Sequence, residues 1–312
     1  MGRSISVIVP VYNGEKFINA ALSSVENQTY PVDEWIFVND GSTDATLSKL
    51  AAIQHQNPRI TVISTEHRGL SQARNAGIGA ARTDWVAFLD IDDQWSPDKV
   101  RNQMLHILAH KECVIAFSNA ETFDSDSKRT VITSGSENRS AINILSGNAR
   151  ISGSASSIVV RRDVLIQAGG FDETFSFGED LELWVRLASN YNICRVNSFD
   201  VQIFRNIGGM QLGTSGIQNY FRHNELIMAI VSKNFNHLDI YKYRSSIYLA
   251  FWGDSWRNLS SGPYCFSQLH MCLKSQFPDL TSILFSTKYK LWQSFFFAQI
   301  IKLLRRWRSR NE

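Results

Sequence analysis

Trp85-Val86-Ala87-Phe88-Leu89-Asp90-Ile91-Asp92-Asp93 is the stretch on which the fold turns. Five consecutive apolar residues are too few for a helix of ordinary length, and they suit a strand buried on both faces of a parallel sheet. The strand runs straight into three carboxylates within four positions. Such crowding is costly unless a cation offsets it. All-oxygen ligands favour a hard divalent ion, Mg²⁺ or Mn²⁺, held by one or two carboxylates with substrate phosphate completing the shell. The plainer alternative is an acidic turn leading into the helix that follows Pro97.

Outward from that strand, β and α signals alternate. Ser4–Val11 is a β-branched apolar run, and Phe17, Ile18, Ala21, Leu22 and Val25 recur at helical spacing behind Asn13-Gly14. Glu34–Val38 reads as a strand, with Ser42 or Thr43 placed to cap a helix over 44–55, and Ile60–Ile63 reads as the next strand. A small-residue helix over 70–81 precedes the strand at 85–89, a helix follows Pro97 to about Lys111, and Val114–Ser118 is a further strand. Such alternation implies an α/β doubly wound, Rossmann-like sheet flanked by helices. Residues 119–150 carry few periodic signals. A strand at 156–160 leads to a helix stopping at Gly169-Gly170, an amphipathic helix spans 180–189, and two strands are expected at 193–197 and 200–205. Beyond the glycines at 208, 209, 213 and 216 the pattern is helical. The expected organisation is therefore a catalytic α/β unit over 1–217 and a helical extension over 218–312.

Composition bounds the partners. At 312 residues, with 44% hydrophobic and 20% charged residues, the chain is an ordinary globular protein. The net charge of +3 is uneven: Lys302, Arg305, Arg306, Arg308 and Arg310 against Glu312 place +4 in the last eleven residues and leave −1 elsewhere. That points to a basic tail for anionic lipid and away from nucleic acid. The uncharged run 291–301 is shorter than the roughly 20 residues a spanning helix needs, so an interfacial helix over 291–310 is expected, or one packed on the catalytic unit. Four scattered cysteines read as free thiols of a reducing cytosol, and the seven histidines show no ligand spacing. Met1-Gly2-Arg3-Ser4 leaves no room for a charged region, an apolar stretch and a cleavage site, so secretion is not expected.

Ligands of open α/β sheets lie outside the carboxyl ends of the strands, where Asp40 and Asp90 both fall. Asp40 can accept a hydrogen bond from a nucleobase N–H, or close a turn and cap a helix. Arg74 can clamp phosphate through paired donors, or form a surface ion pair. Gly77 and Gly79 suit close packing of their helix on the sheet. Asp180, beside Glu179 and before Trp184, can take a proton from an incoming hydroxyl, or serve as an ordinary helix cap.

In order, Val7-Ile8-Val9-Pro10-Val11-Tyr12-Asn13, Phe37-Val38-Asn39-Asp40-Gly41-Ser42-Thr43-Asp44, Arg74-Asn75-Ala76-Gly77, Phe88-Leu89-Asp90-Ile91-Asp92-Asp93 and Gly178-Glu179-Asp180-Leu181-Glu182-Leu183-Trp184 resemble family 2 glycosyltransferases over residues 4 to about 205. The resemblance implies a GT-A fold and inverting, metal-dependent transfer of a hexose from a nucleotide sugar, taken as a UDP-sugar. The acceptor would be a glycan or lipid-linked hydroxyl in cell-surface polysaccharide or lipopolysaccharide assembly, at the cytoplasmic face of the inner membrane. It assigns Pro10, Tyr12 and Asp40 to the base side of the donor, Val11 and Asn13 to the nucleotide more broadly, Arg74 to the diphosphate, Asp90 to the ribose, Asp92 to the metal and Asp180 to catalysis. Glu179, Trp184, Asp93 and Arg205 would support the site or face the acceptor. One departure stands out: Phe204-Arg205-Asn206-Ile207 carries Ile207 where many members have His. A silent nucleotide-sugar-binding module is therefore the alternative, and a sugar-phosphate nucleotidyltransferase is disfavoured because Pro10-Val11-Tyr12-Asn13 offers no glycine-rich phosphate loop.

Overall fold

The computed structural model describes residues 3–123, 129–132, 138–146, 149, 151, 154–204, 217–236, 239 and 274–275. The chain divides into two compact units, Met1–Gly213 and Thr214–Glu312. The first holds strands β1 (Ile5–Val11), β2 (Glu34–Asp40), β3 (Ile60–Thr65), β4 (Trp85–Phe88), β5 (Gln94–Trp95), β6 (Cys113–Phe123), β7 (Arg129–Ile132), β8 (Ile158–Arg161) and β9 (Asn192–Phe204). Its helices are α1 (Ile18–Glu26), α2 (Thr46–Gln56), α3 (Leu70–Ala80), α4 (Lys99–Ala109), α5 (Ala141–Leu145), α6 (Arg162–Gln167) and α7 (Glu179–Ala188). In the second unit α8 (Ile217–Asn234) is described, with Ile227, Met228, Ile230 and Val231 fully buried.

The strands form one mixed sheet in the order β3-β2-β1-β4-β8-β6-β9-β5, with β7 on β6. β1 to β4 are mutually parallel, β8 runs against both β4 and β6, and β9 lies parallel to β6. Every residue of β1 and β4 is buried, as expected of strands covered by helices on both faces. Val11, Asp40 and Asp90 consequently emerge at one edge, outside the carboxyl ends of β1, β2 and β4. Close packing of α3 on β1 depends on Gly77, since a Cβ there would meet Ile8 Cγ2 at 2.4 Å. Gly79 faces open space and has no such role, because it lies on the solvent side of the same helix.

Several expectations change. The two strands at 193–197 and 200–205 are one long strand, β9, whose register against β6 slips between Ser118 and Ala120. A register slip breaks the period of two without ending the strand, which is why it reads as a gap. The weakly patterned stretch 119–150 contains the end of β6, then β7 and α5. Helix α2 starts at Thr46, and the backbone N–H of Thr46 donates to Asp44 rather than to Ser42 or Thr43. Ser42 and Thr43 instead tie the 41–44 turn to Asn13, whose N–H donates to Ser42 Oγ and whose side-chain oxygen accepts from the Thr43 N–H. Two of the four cysteines are not free: Cys113 and Cys194 form a disulfide between β6 and β9. Their separation of 81 residues hides a contact that only the parallel pairing of those strands creates.

Candidate active site

The turn Asp90–Asp93 closes with the Asp93 N–H donating to Asp90 O, and its three carboxylates meet three different fates. Asp90 accepts from Arg74 Nη2 at 2.7 Å and from Ser154 Oγ at 3.2 Å. Asp93 turns inward, 4% exposed, and accepts from Ser156 Oγ. Burial, then the Asp90 charge, holds its pKa well above the carboxylate range, so it favours the protonated form. Asp92 is partly buried, and its carboxylate accepts no hydrogen bond from another described residue. Burial followed by repulsion from Asp90 raises its pKa, leaving a carboxylate that a cation would relieve.

Ser154 and Ser156 belong to the single 3-10 turn Ala155–Ser157 and its cap, just ahead of β8. Ser156 holds the acidic turn twice, since its Oγ also accepts the Asp90 N–H at 3.0 Å and its carbonyl accepts from Trp95 Nε1 at 2.9 Å. Nothing in the sequence around 154–156 marks these serines out. Their role exists because β8 pairs with β4 and brings its approach beside the end of that strand.

Arg74 is 1% exposed and spans the site, with Nη2 on Asp90 and Nη1 on Glu179 Oε1 at 2.8 Å. Burial works against its charge, but Asp90 and then Glu179 outweigh that and raise its pKa. Its ring-facing side lies over Phe171, centroid distance 5.0 Å, and Phe171 packs edge-on against Trp184 and Phe88. Arg74 is thus a buried clamp joining α3, the end of β4 and α7, with both terminal nitrogens already engaged by carboxylates. The bridge closes because Glu179, 105 residues away, arrives on the other side of the guanidinium from Asp90. Trp184 is 3% exposed on the apolar face of α7 and supports the ring stack beneath Arg74.

Helix α7 starts after Gly178 in the left-handed region, φ 69°, and places Glu179, Asp180 and Glu182 in its first turn, where the helix dipole favours acids. The Asp180 carboxylate accepts from the neighbouring Leu181 N–H at 2.7 Å. Burial, then the Glu179 charge, raises its pKa to about 6, while Arg74 opposes the shift. A carboxyl so tuned is charged at neutral pH yet basic enough to take a proton.

At the other end of the site, Pro10 is buried in β1, and Val11 is 1% exposed with its side chain in the core, so only its backbone faces the edge. Tyr12 is 38% exposed and stacks on His67, ring centroids 4.0 Å apart. Asn13 adopts φ 48° and anchors the 41–44 turn. Asp40 is 4% exposed, and its carboxylate accepts from the Arg68 N–H at 2.9 Å and the Gly69 N–H at 3.0 Å, with His67 Nδ1 at 2.9 Å. It thereby fixes the loop between β3 and α3 against the end of β2. His67 was not anticipated; its position over Tyr12 depends on a loop closure that a one-dimensional pattern does not show. Arg205, Ile207 and residues 291–310 lie outside the described residues. Among the described residues no helix is long and apolar enough to cross a membrane.

The donor set suits a hard divalent ion only in a particular way. The three aspartates do not converge on one point, but Asp92 offers one unengaged carboxylate, and Mg²⁺ or Mn²⁺ needs no more than one or two when a diphosphate supplies further oxygens.

The chain resembles known proteins in sequence and in fold. The chain is 36% identical over 123 residues to TuaG of Bacillus subtilis, whose name assigns it to teichuronic acid biosynthesis, covering 39% of this chain and 48% of that protein. It is 32% identical over 145 residues to a glycosyltransferase of Haemophilus influenzae, covering 46% and 58%. The chain thus spans about half the length of these curated relatives. The crystal structure of Staphylococcus aureus TarS 1-349 in complex with UDP-GlcNAc superposes with a TM-score of 0.68 at 20% identity, covering 90% of this chain and 81% of that one, which shows a shared fold. The model of the family described as Glycosyl transferase family 2 matches residues 6–167, just over half of the sequence, and the chain belongs to that family.

Proposed function

We propose that the chain transfers a sugar from a nucleotide-sugar donor, of the UDP class, to a hydroxyl of a cell-surface glycan or its lipid-linked precursor. The observation that carries this reading is Asp180: a carboxyl with a pKa of about 6, held at the same sheet edge as the unengaged Asp92 and the Asp40 loop. The donor class is supported by TarS, whose structure holds UDP-GlcNAc, and the setting by the name of TuaG.

In this mechanism the nucleoside lies toward Tyr12 and Asp40, with its diphosphate toward Asp92. A bound Mg²⁺ or Mn²⁺ would supply charge neutralisation for the departing diphosphate. Asp180 accepts the acceptor hydroxyl proton as that oxygen attacks the anomeric carbon, and one displacement inverts the configuration. Arg74 and Glu179 fix the position of Asp180 relative to Asp90, and Arg74 limits the rise of its pKa. Positioned base catalysis typically contributes about 10²–10⁴-fold.

The test measures nucleoside diphosphate release from a panel of UDP-sugars with Mn²⁺ and cell-envelope acceptor. Asp180→Asn is expected to lower turnover by about 10²–10⁴-fold while donor binding, followed by thermal shift, survives. Undiminished turnover in that variant removes Asp180 as the base; absence of turnover by the native chain with every donor and acceptor extract counts against transfer itself.

A further inference from the structure

The sheet has a second chemically distinctive edge, opposite the carboxylates. Cys113 begins β6, which runs parallel to β4, so it lies at the end of the sheet away from Asp90. Beside it on β9 is Cys194, paired through the Ala116 register position. The last turn of α4 brings His106 to the same place, and a ligand atom from each of His106, Cys113 and Cys194 lies within 4.8 Å of the others. It is the one grouping of three His, Cys, Asp or Glu ligand atoms this compact among the described residues.

The donor chemistry differs from that at Asp92. Two sulfurs and an imidazole are soft to borderline ligands, suited to zinc and unsuited to Mg²⁺. Ligand atoms around a tetrahedral zinc ion lie about 3.3–3.8 Å apart, given Zn–S near 2.3 Å and Zn–N near 2.0 Å. Reaching that spacing requires the bonded sulfurs to separate and His106, within 4.8 Å of both, to draw in. The rings of His106 and His110 stack at 4.2 Å, and His110 Nδ1 lies 2.9 Å from the His106 carbonyl, which restrains this end of the helix. Cys113 is fully buried whereas Cys194 and His106 are partly exposed, so an ion has a route from solvent and a position left for water.

We infer that His106, Cys113 and Cys194 form a redox-gated zinc-class site: the disulfide is its metal-free form, and the reduced pair with His106 chelates one ion. Reduction by a trialkylphosphine breaks the S–S bond; the phosphine takes oxygen from water to become its oxide, and each sulfur receives a proton. Metal binding then releases both thiol protons to solvent. This site is independent of the proposed transfer reaction.

The test uses the full chain with Cys265→Ser and Cys272→Ser, titrated with Co²⁺ as a spectroscopic stand-in and with Zn²⁺ against a chromophoric chelator. Phosphine-reduced protein is expected to bind one equivalent of Co²⁺ with near-ultraviolet thiolate-to-cobalt absorption, displaced by Zn²⁺, whereas the oxidised protein shows none. Asp92→Ala should leave that absorption unchanged, which separates the site from any oxygen-ligated ion. His106→Gln should weaken Zn²⁺ affinity by at least about tenfold, and Cys194→Ser should remove the absorption. The redox comparison uses the same polypeptide throughout, so a folding defect in a variant does not decide the outcome. Absence of thiolate-to-cobalt absorption in the reduced chain, or affinity unchanged in His106→Gln, overturns the assignment.

Discussion

Two arginines hold helix α7, and they do so in different electrical settings. Arg186 meets one acid: it makes a paired contact with Glu182 on its own helix and gives its remaining donors to the Ala168 and Gly170 carbonyls. Arg74 meets Asp90 and Glu179 directly and also feels Asp180. Around Arg186 charge is matched, and Glu182, 1% exposed, is held by both Nε and Nη2 of the Arg186 guanidinium. Around Arg74 the acids outnumber the cation, and the surplus resides on Asp180 and Asp92, both pushed upward in pKa. Anchoring a helix requires a balanced pair; the candidate active site is where the balance is withheld.

The largest test of that contrast is removal of Asp92. If its carboxylate carries the ion, Asp92→Ala should lower metal-stimulated nucleoside diphosphate release by at least about 100-fold, corresponding to several kcal/mol of leaving-group stabilisation. Equal metal stimulation in the variant would show that the unengaged carboxylate is not the ligand.

Next come the two arginines themselves. Breaking a buried ion pair by removing one partner costs about 3–5 kcal/mol, and Arg74→Gln and Arg186→Gln should both lower urea stability by a figure toward the lower end, since one partner of each pair, Asp90 and Arg186, keeps some contact with solvent. Only Arg74→Gln should also move the acidic limb of the rate profile, upward in pH, because Arg74 restrains the pKa of Asp180. A limb displaced equally by both variants would erase the distinction.

The profile has a definite sign. The competent base is the ionised form, so kcat/KM should fall about tenfold per pH unit below about 6 and level off above it. Because Glu179 contributes to the raised value, Glu179→Gln should shift that limb downward, opposite to Arg74→Gln. The same shift works against folding: the native carboxyl binds its proton more tightly than the unfolded one, so its contribution to stability declines as pH rises from about 4 through 6. The smallest effect is expected for Ser156→Ala, which deprives buried Asp93 of a partner and should lower stability by about 1–2 kcal/mol in urea unfolding.

What the sequence made legible follows the range of each interaction. The strand at 85–88 and the acids after it are local, and the sheet edge at which Asp40 and Asp90 emerge follows from the βα alternation. Asp180 is legible as a helix-opening acid, but its pKa depends on Glu179 beside it and on Arg74, more than a hundred residues earlier. The Arg74 bridge, the grip of Ser156 on the acidic turn and the Cys113–Cys194 bond all join segments far apart in the chain, and no periodicity announces them. Val11 and Trp184 sit within recognisable motifs yet serve the core, since a motif records which positions matter without saying which way each side chain turns.

Asp40 grips the loop ahead of α3 chiefly through the Arg68 and Gly69 amides, groups that every residue except proline possesses. The loop can therefore keep its course while the side chains at 67 and 68 are exchanged. The proposed donor pocket would then resemble a tool holder with interchangeable inserts: the aspartate secures the shank, and the exchangeable side chains can vary without re-engineering the sheet.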